Sequence, residues 1–281
     1  MGRIKRTRGR FQFLWAILKK FDSDHGFFLS SGITFSLLIC LIPLLLLLLA
    51  LLGTYLYSDR EVLNHIRHYL ERVVPSLDPR IMNNLLKIVR DRKIVGILGI
   101  AGLVWTSTWA FSSIRISLDL IFQAKKDRGI FHGKMIDLFM VLIAGGFLLA
   151  SMILTSGMTF LQSYPFSLYM NMKPVVRVIL KYVVPYFLTF WMFFSIYKIV
   201  PHAKIRFTAA FQSALFASLL WEGAKQLFGW YILHVGRFSV IYGSLSTLII
   251  FFLWVYYSSV IVLLGGEMVF LLEKGKEKGH G

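Results

Sequence analysis

Six long apolar stretches are separated by polar segments along the chain, at about 29–53, 94–122, 135–160, 176–200, 208–233 and 240–270. Each is long enough for a helix that crosses a hydrocarbon core, which needs about 20 apolar residues. The runs are continuous and lack the period-two alternation of a lipid-facing β-strand. The pattern predicts an all-α polytopic membrane bundle of six transmembrane helices. It divides the chain into a basic cytoplasmic N-terminal segment at 1–28, a membrane domain at 29–272 and a cytoplasmic tail at 273–281.

The segment between the first two spans has a different period. Val62, Ile66, Tyr69 and Val73 recur at helical spacing, and Ile81, Leu85 and Val89 do so again after Pro75 and Pro79. Residues 59–92 therefore read as two short amphipathic helices. They would fold over the extracytoplasmic face of the bundle or lie in the membrane interface. Inside the spans, Pro43 and Pro185 are expected to bend spans one and four. Ala210, Ala214 and Ser218 repeat every four residues in span five. Small residues at that spacing let helices approach closely, so span five is expected to be central. The pairs Gly145-Gly146 and Gly265-Gly266 read as packing notches.

Composition agrees with a membrane protein. The chain is 57% hydrophobic and only 16% charged, with a mean hydropathy of +0.67, too apolar for an ordinary soluble domain. The net charge of +17 raises the question of nucleic acid. The basic residues instead crowd the amino terminus and the short loops, which is how membrane helices are oriented. No nucleic-acid recognition module accompanies them. Arg3, Lys5, Arg6, Arg8 and Arg10, the 2–3 and 4–5 loops and the tail all favour both termini on the cytoplasmic side. Residues 54–93 conflict with this orientation, because they would lie outside while carrying eight Lys and Arg. Membrane lipids, anionic ones included, are the expected partners. The first apolar run is too long for a cleaved signal peptide and fits a retained helix. The one cysteine, Cys40, excludes an intrachain disulfide.

The candidate chemistry lies in charges inside apolar runs. Such a charge costs about 2.5–3.5 kcal/mol at a helix centre on insertion scales and usually faces protein or a water-filled cavity. Glu222 and Lys225, with Gln226 beside them, fall near the middle of span five, and the Glu-then-Lys order suits an ion pair. A buried clasp between helices is the competing reading. A second polar layer is expected nearer the cytoplasm, from Arg115 and Asp119 in span two, Gln212 in span five and Glu267 in span six. Within it, Arg115 and Glu267 are expected to be neighbours, unless Arg115 snorkels to headgroups. Lys181 sits near the outer end of span four, where it would snorkel or contribute to an outer vestibule. His65 and His68, one turn after Glu61, read as a solvated face, not a metal site. No cofactor is expected.

The second half reads Pro201-His-Ala-Lys-Ile-Arg206, Trp221-Glu222-x-x-Lys225-x-x-Phe228-x-x-Tyr231, Ile241-Tyr242-Gly243, Trp254-Val-Tyr256 and Leu264-Gly-Gly-Glu267. The first half has a basic start, Ser30-Ser-Gly-Ile-Thr-Phe-Ser36 before the leucine-rich span, and Ser117-Leu-Asp-Leu-Ile-Phe122. In order and spacing these resemble the YihY/BrkB family of bacterial inner-membrane proteins across nearly the whole chain. Three positions depart from the family's usual pattern. His202 and Asp119 stand where Asn is common, and Gly266 stands where the family has Ala. The resemblance implies a six-helix cytoplasmic-membrane protein. Members have carried a ribonuclease BN label and are linked to serum resistance and to envelope or lipopolysaccharide export. The sequence argues against the ribonuclease label, since it assembles no acidic or His/Asp metal cluster in a soluble domain. The leading expectation is a non-enzymatic transporter of a lipid, envelope precursor or other anionic solute. The alternative is an envelope assembly or scaffold protein that meets a protein partner through residues 59–92.

Overall fold

The computed structural model describes residues 2–56, 92–124, 130–163, 183–235 and 244–277, and every element in them is helical. In chain order these are α1 (Gly2–Ser23), α2 (Gly26–Ile39), α3 (Leu41–Leu56), α4 (Arg92–Ile121), α5 (Ile130–Ser163), α6 (Val184–Ile199), α7 (Phe207–Val235) and α8 (Ser244–Glu277). Among the described residues, three stretches are long and apolar enough to cross a membrane: Gly26–Leu48, Lys93–Ile121 and Leu248–Gly275. The expected helices at 59–92 lie outside the described residues.

The first expected span is not one straight helix. It breaks at Cys40, between α2 and α3. The cause is Pro43, which offers no N–H and whose ring collides with the carbonyl four residues earlier, that of Ile39. Cys40 instead donates its N–H to Leu37 O at 3.1 Å, and Leu44 donates to Cys40 O at 3.2 Å. Pro185 is the second described residue of α6, and Val183 before it is already in helical conformation at φ −73°, ψ −42°. The part of that expected span before Val183 lies outside the described residues.

The chain divides into two units, Met1–Phe35 with Thr108–Gly281, and Ser36–Ser107. In the smaller unit α3 lies close against the first part of α4. A Cβ at Gly99 would come within 3.1 Å of the Leu47 backbone nitrogen, and one at Gly102 within 3.2 Å of Pro43. Glycine at these two positions permits the approach.

In the larger unit α7 packs one face on α6 and α8. Ala210, Ser213, Ala214, Ala217 and Ser218 of that face are fully buried, so the small-residue stripe of span five does bring helices together. The opposite face, with Phe211, Leu215, Leu219 and Leu227, is exposed. Among the described residues, α7 therefore meets α6 and α8 on its small-residue face. Aromatic rings fill the α6–α7 seam, with Phe190 edge-on to Phe211 at 5.0 Å and Phe194 edge-on to Phe207 at 5.1 Å.

Gly265 and Gly266 are packing notches. A Cβ on the first would collide with the phenol of Tyr197, and one on the second would reach 2.6 Å from a Leu118 methyl. Gly145 and Gly146 are not, since a Cβ at either would meet nothing within 4 Å among the described residues.

The turn from α1 to α2 sets the position of α1. Its apolar residues Leu14, Ile17, Leu18 and Phe21 recur at helical spacing, and Ile17 and Phe21 are buried. His25 turns the chain through the left-handed region, at φ 54°, an uncommon conformation for a residue with a side chain. Gly26 follows because the Phe21 ring occupies the place of a Cβ there.

Candidate functional site

Lys20 lies on α1 with 14% of its side chain exposed. Its Nζ sits 2.7 Å from Oε2 of Glu267 on α8, and the Glu267 side chain is completely buried. The same ammonium pairs with Asp24 one turn on, donates to Ile121 O at 3.3 Å at the end of α4, and lies 4.0 Å from the centre of the Phe270 ring. A lysine has three donors, and here a carboxylate on either side and a helix-terminal carbonyl surround them. One ammonium thus links α1, α4 and α8. A charge pair removed this far from water costs desolvation that only good geometry offsets. Among the described residues, neither oxygen of Glu267 has a hydrogen-bond partner by geometry, so Oε2 is held by the charge of the nearby ammonium and Oε1 by no cation or donor.

Two further polar contacts fix the segment between α6 and α7. Alpha4 ends in a Schellman turn, with Gln123 at φ 52° and Ala124 N–H donating to Asp119 O at 3.0 Å. That turn holds Asp119 at the helix end. Its carboxylate accepts the backbone N–H of His202 at 2.8 Å and pairs with His202 Nδ1. Arg206 donates its backbone N–H to Glu273 Oε1 at 3.0 Å and its Nε to Oε2 at 2.9 Å. It also donates from the guanidinium to Leu272 O at 3.0 Å. Lys198 donates to Ile205 O.

The expected residues are distributed differently from the two polar layers read in the sequence. Glu222 and Lys225 do form an ion pair, at 2.7 Å. They are 39% and 36% exposed, and Gln226 is exposed without a hydrogen bond to either. Gln212 is exposed on α7 and does not join Glu267. Arg115 does not take Glu267 as its partner. Its Nε lies 3.0 Å and its terminal nitrogen 3.2 Å from the two oxygens of Asp137 on α5, which is 1% exposed and also accepts from Ser112. A guanidinium fork matches both carboxylate oxygens at once, a geometry that Asp137 offers from the facing helix. Asp119 serves the α6–α7 connection. Lys181 lies outside the described residues.

Sequence reasoning passed over Lys20, Asp24, Asp137 and Glu273. Asp137 carried a readable signal, a carboxylate inside an apolar run. Lys20 did not, because it stands in a terminal segment whose many basic residues read as orientation charges. Charge exchange checks the revised pairing. Folded yield lost in Arg115→Asp or Asp137→Arg is expected to return in part in the double variant. Exchange between Arg115 and Glu267 is expected to give no recovery. Size-exclusion profiles in detergent read both.

Apolar helices with ion pairs sealed among them define a helical membrane protein. The profile of the virulence factor BrkB family matches residues 17–281, and the chain belongs to that family. It is 26% identical over 265 residues to a UPF0761 membrane protein of Prosthecochloris aestuarii, covering 92% of this chain and 60% of that protein. It is 31% identical over 207 residues to a UPF0761 membrane protein of Glaesserella parasuis, covering 72% and 71%. For a UPF0761 membrane protein of Pseudoalteromonas atlantica the identity is 28% over 254 residues, covering 88% and 82%. The chain spans about 60% of the length of the first two curated relatives it matches. No solved structure matches.

Proposed function

We propose that this is a multi-pass inner-membrane protein with six spans and both termini in the cytoplasm, and that it transports an anionic lipid, envelope precursor or other anionic solute. The observation that carries the reading is the Lys20–Glu267 pair, a completely buried carboxylate in an apolar helix held against a lysine from another helix. Ionisable groups in such a place mark ion and substrate pathways more often than they add stability. Glu267 would take up a coupling proton or balance the cation. Glu222 and Lys225 would form a second charged stop along α7, and Arg115 would be positioned by Asp137. The protein would work without a cofactor and without catalysing a covalent step. The scaffold alternative would use residues 59–92, which lie outside the described residues.

Reconstitution tests the reading. Purified protein in liposomes is expected to move a fluorescent phosphatidylglycerol between leaflets under an imposed pH gradient, faster than protein-free liposomes. Movement of neither lipid nor ions under pH and ion gradients would overturn it.

A further inference from the structure

A cavity of about 300 Å³ opens where the end of α4, the α6–α7 connection and the last turns of α8 meet. We propose that it binds a phosphate-class anion, either the headgroup phosphate of an anionic lipid or a free phosphate. The inference deepens the transport reading by giving its substrate class a headgroup site.

Position is the first argument. The apolar stretches that can cross a membrane end at Ile121 in α4 and Gly275 in α8. The cavity wall includes Phe122 and Gln123 just beyond the first end and Phe270, Glu273 and Lys274 beside the second. In a membrane those residues lie where apolar helix gives way to headgroups. Charge is the second argument. Three ionisable side chains line the cavity, those of Lys204, Glu273 and Lys274. Glu273 is already committed, because Arg206 fills both of its oxygens from outside the lining. Lys204 and Lys274 are exposed and have no carboxylate partner among the described residues. The lining thus presents two cations whose nearest acid is neutralised. Shape is the third. Lys274 stands 5.1 Å from the Phe270 ring, which draws its ammonium to the cavity wall. Phe122 and Phe270 supply apolar walls beside the cations, as suits a phosphate that continues into glycerol and acyl chain. The volume lies at the lower end of the range for small-molecule sites.

Equilibrium binding to detergent-solubilised full-length protein tests the site, with short-chain phosphatidylglycerol, phosphatidylcholine and inorganic phosphate as probes. The Lys204→Gln/Lys274→Gln variant is expected to bind phosphatidylglycerol about thirtyfold more weakly, from about fivefold per lysine. Lys93→Gln, which removes an exposed charge elsewhere, is expected to bind as the wild type does. Displacement of the lipid by inorganic phosphate assigns the site to the free anion, and no displacement assigns it to the headgroup. Unchanged binding in the double variant overturns the proposal, as does an equal loss in Lys93→Gln. No gradient enters the assay. Lysine-dependent binding without lipid movement would leave the site standing and remove transport, and lipid movement without lysine-dependent binding would do the reverse.

Discussion

Lys20→Met is expected to cost about 3–5 kcal/mol of stability, the range for stranding one charge of a buried pair. Glu267 has no exposed surface and no other cation within reach among the described residues. Removing the ammonium leaves its carboxylate in an apolar seam with nothing to offset the loss of water. The reverse change, Glu267→Gln, is expected to cost less. Lys20 would keep Asp24, the Ile121 carbonyl and the Phe270 ring, and it is part-exposed to begin with. The Lys20→Met/Glu267→Met double variant is expected to recover most of the loss, since an apolar pair of similar size can replace a buried ion pair without penalty. Melting curves of the four proteins in one detergent give the comparison. Equal destabilisation in both single variants, or no recovery in the double, would show that Glu267 does not depend on Lys20 as its cation.

The second large effect is at Gly265. Gly265→Ala is expected to cost about 2–4 kcal/mol, combining overpacking with the loss of a buried hydrogen bond. The new methyl would occupy the space of the Tyr197 phenol. That side chain is completely buried, and its hydroxyl donates to Val262 O at 3.0 Å. It has nowhere to swing, and displacing it strands a hydroxyl between α6 and α8. Tyr197→Phe in the same chain is expected to return part of the loss, because it removes the nearest atom. Gly223→Ala is the contrast. Nothing lies within 4 Å of a Cβ there, so the change is expected to be neutral, or to stabilise α7 by up to about 1 kcal/mol through helix propensity. A melting temperature for Gly265→Ala equal to that for Gly223→Ala would refute the notch.

These contacts show what could be read from the chain beforehand. Helix positions were legible where apolar length decides them. Span two was expected at 94–122 and α4 runs Arg92–Ile121; span five was expected at 208–233 and α7 runs Phe207–Val235. Breaks are harder: Pro43 interrupts a helix between α2 and α3, whereas the backbone just before Pro185 is already helical at Val183. The charged residues were legible as exceptions to an apolar pattern, and Glu222 and Lys225 met because one helix carries both. Partners across helices were not legible. Arg115 and Glu267 stand at similar estimated depth, and depth says nothing about which face of a bundle a residue occupies. The residues that claimed them, Asp137 and Lys20, come from helices whose rotation the sequence leaves open. One long-range contact did leave a trace. Asp119 and His202, two of the three departures from the usual family pattern, are bonded to each other.

The Lys20–Glu267 pair carries the functional account, and transport by the apolar replacement isolates it from folding. Liposomes containing the Lys20→Met/Glu267→Met variant, with a melting temperature matched to wild type, can be assayed for phosphatidylglycerol movement under the same pH gradient. The account predicts that the wild type moves the lipid and the folded variant moves it no faster than protein-free liposomes. Movement by the variant at the wild-type rate would contradict it and leave the pair as a clasp between α1 and α8.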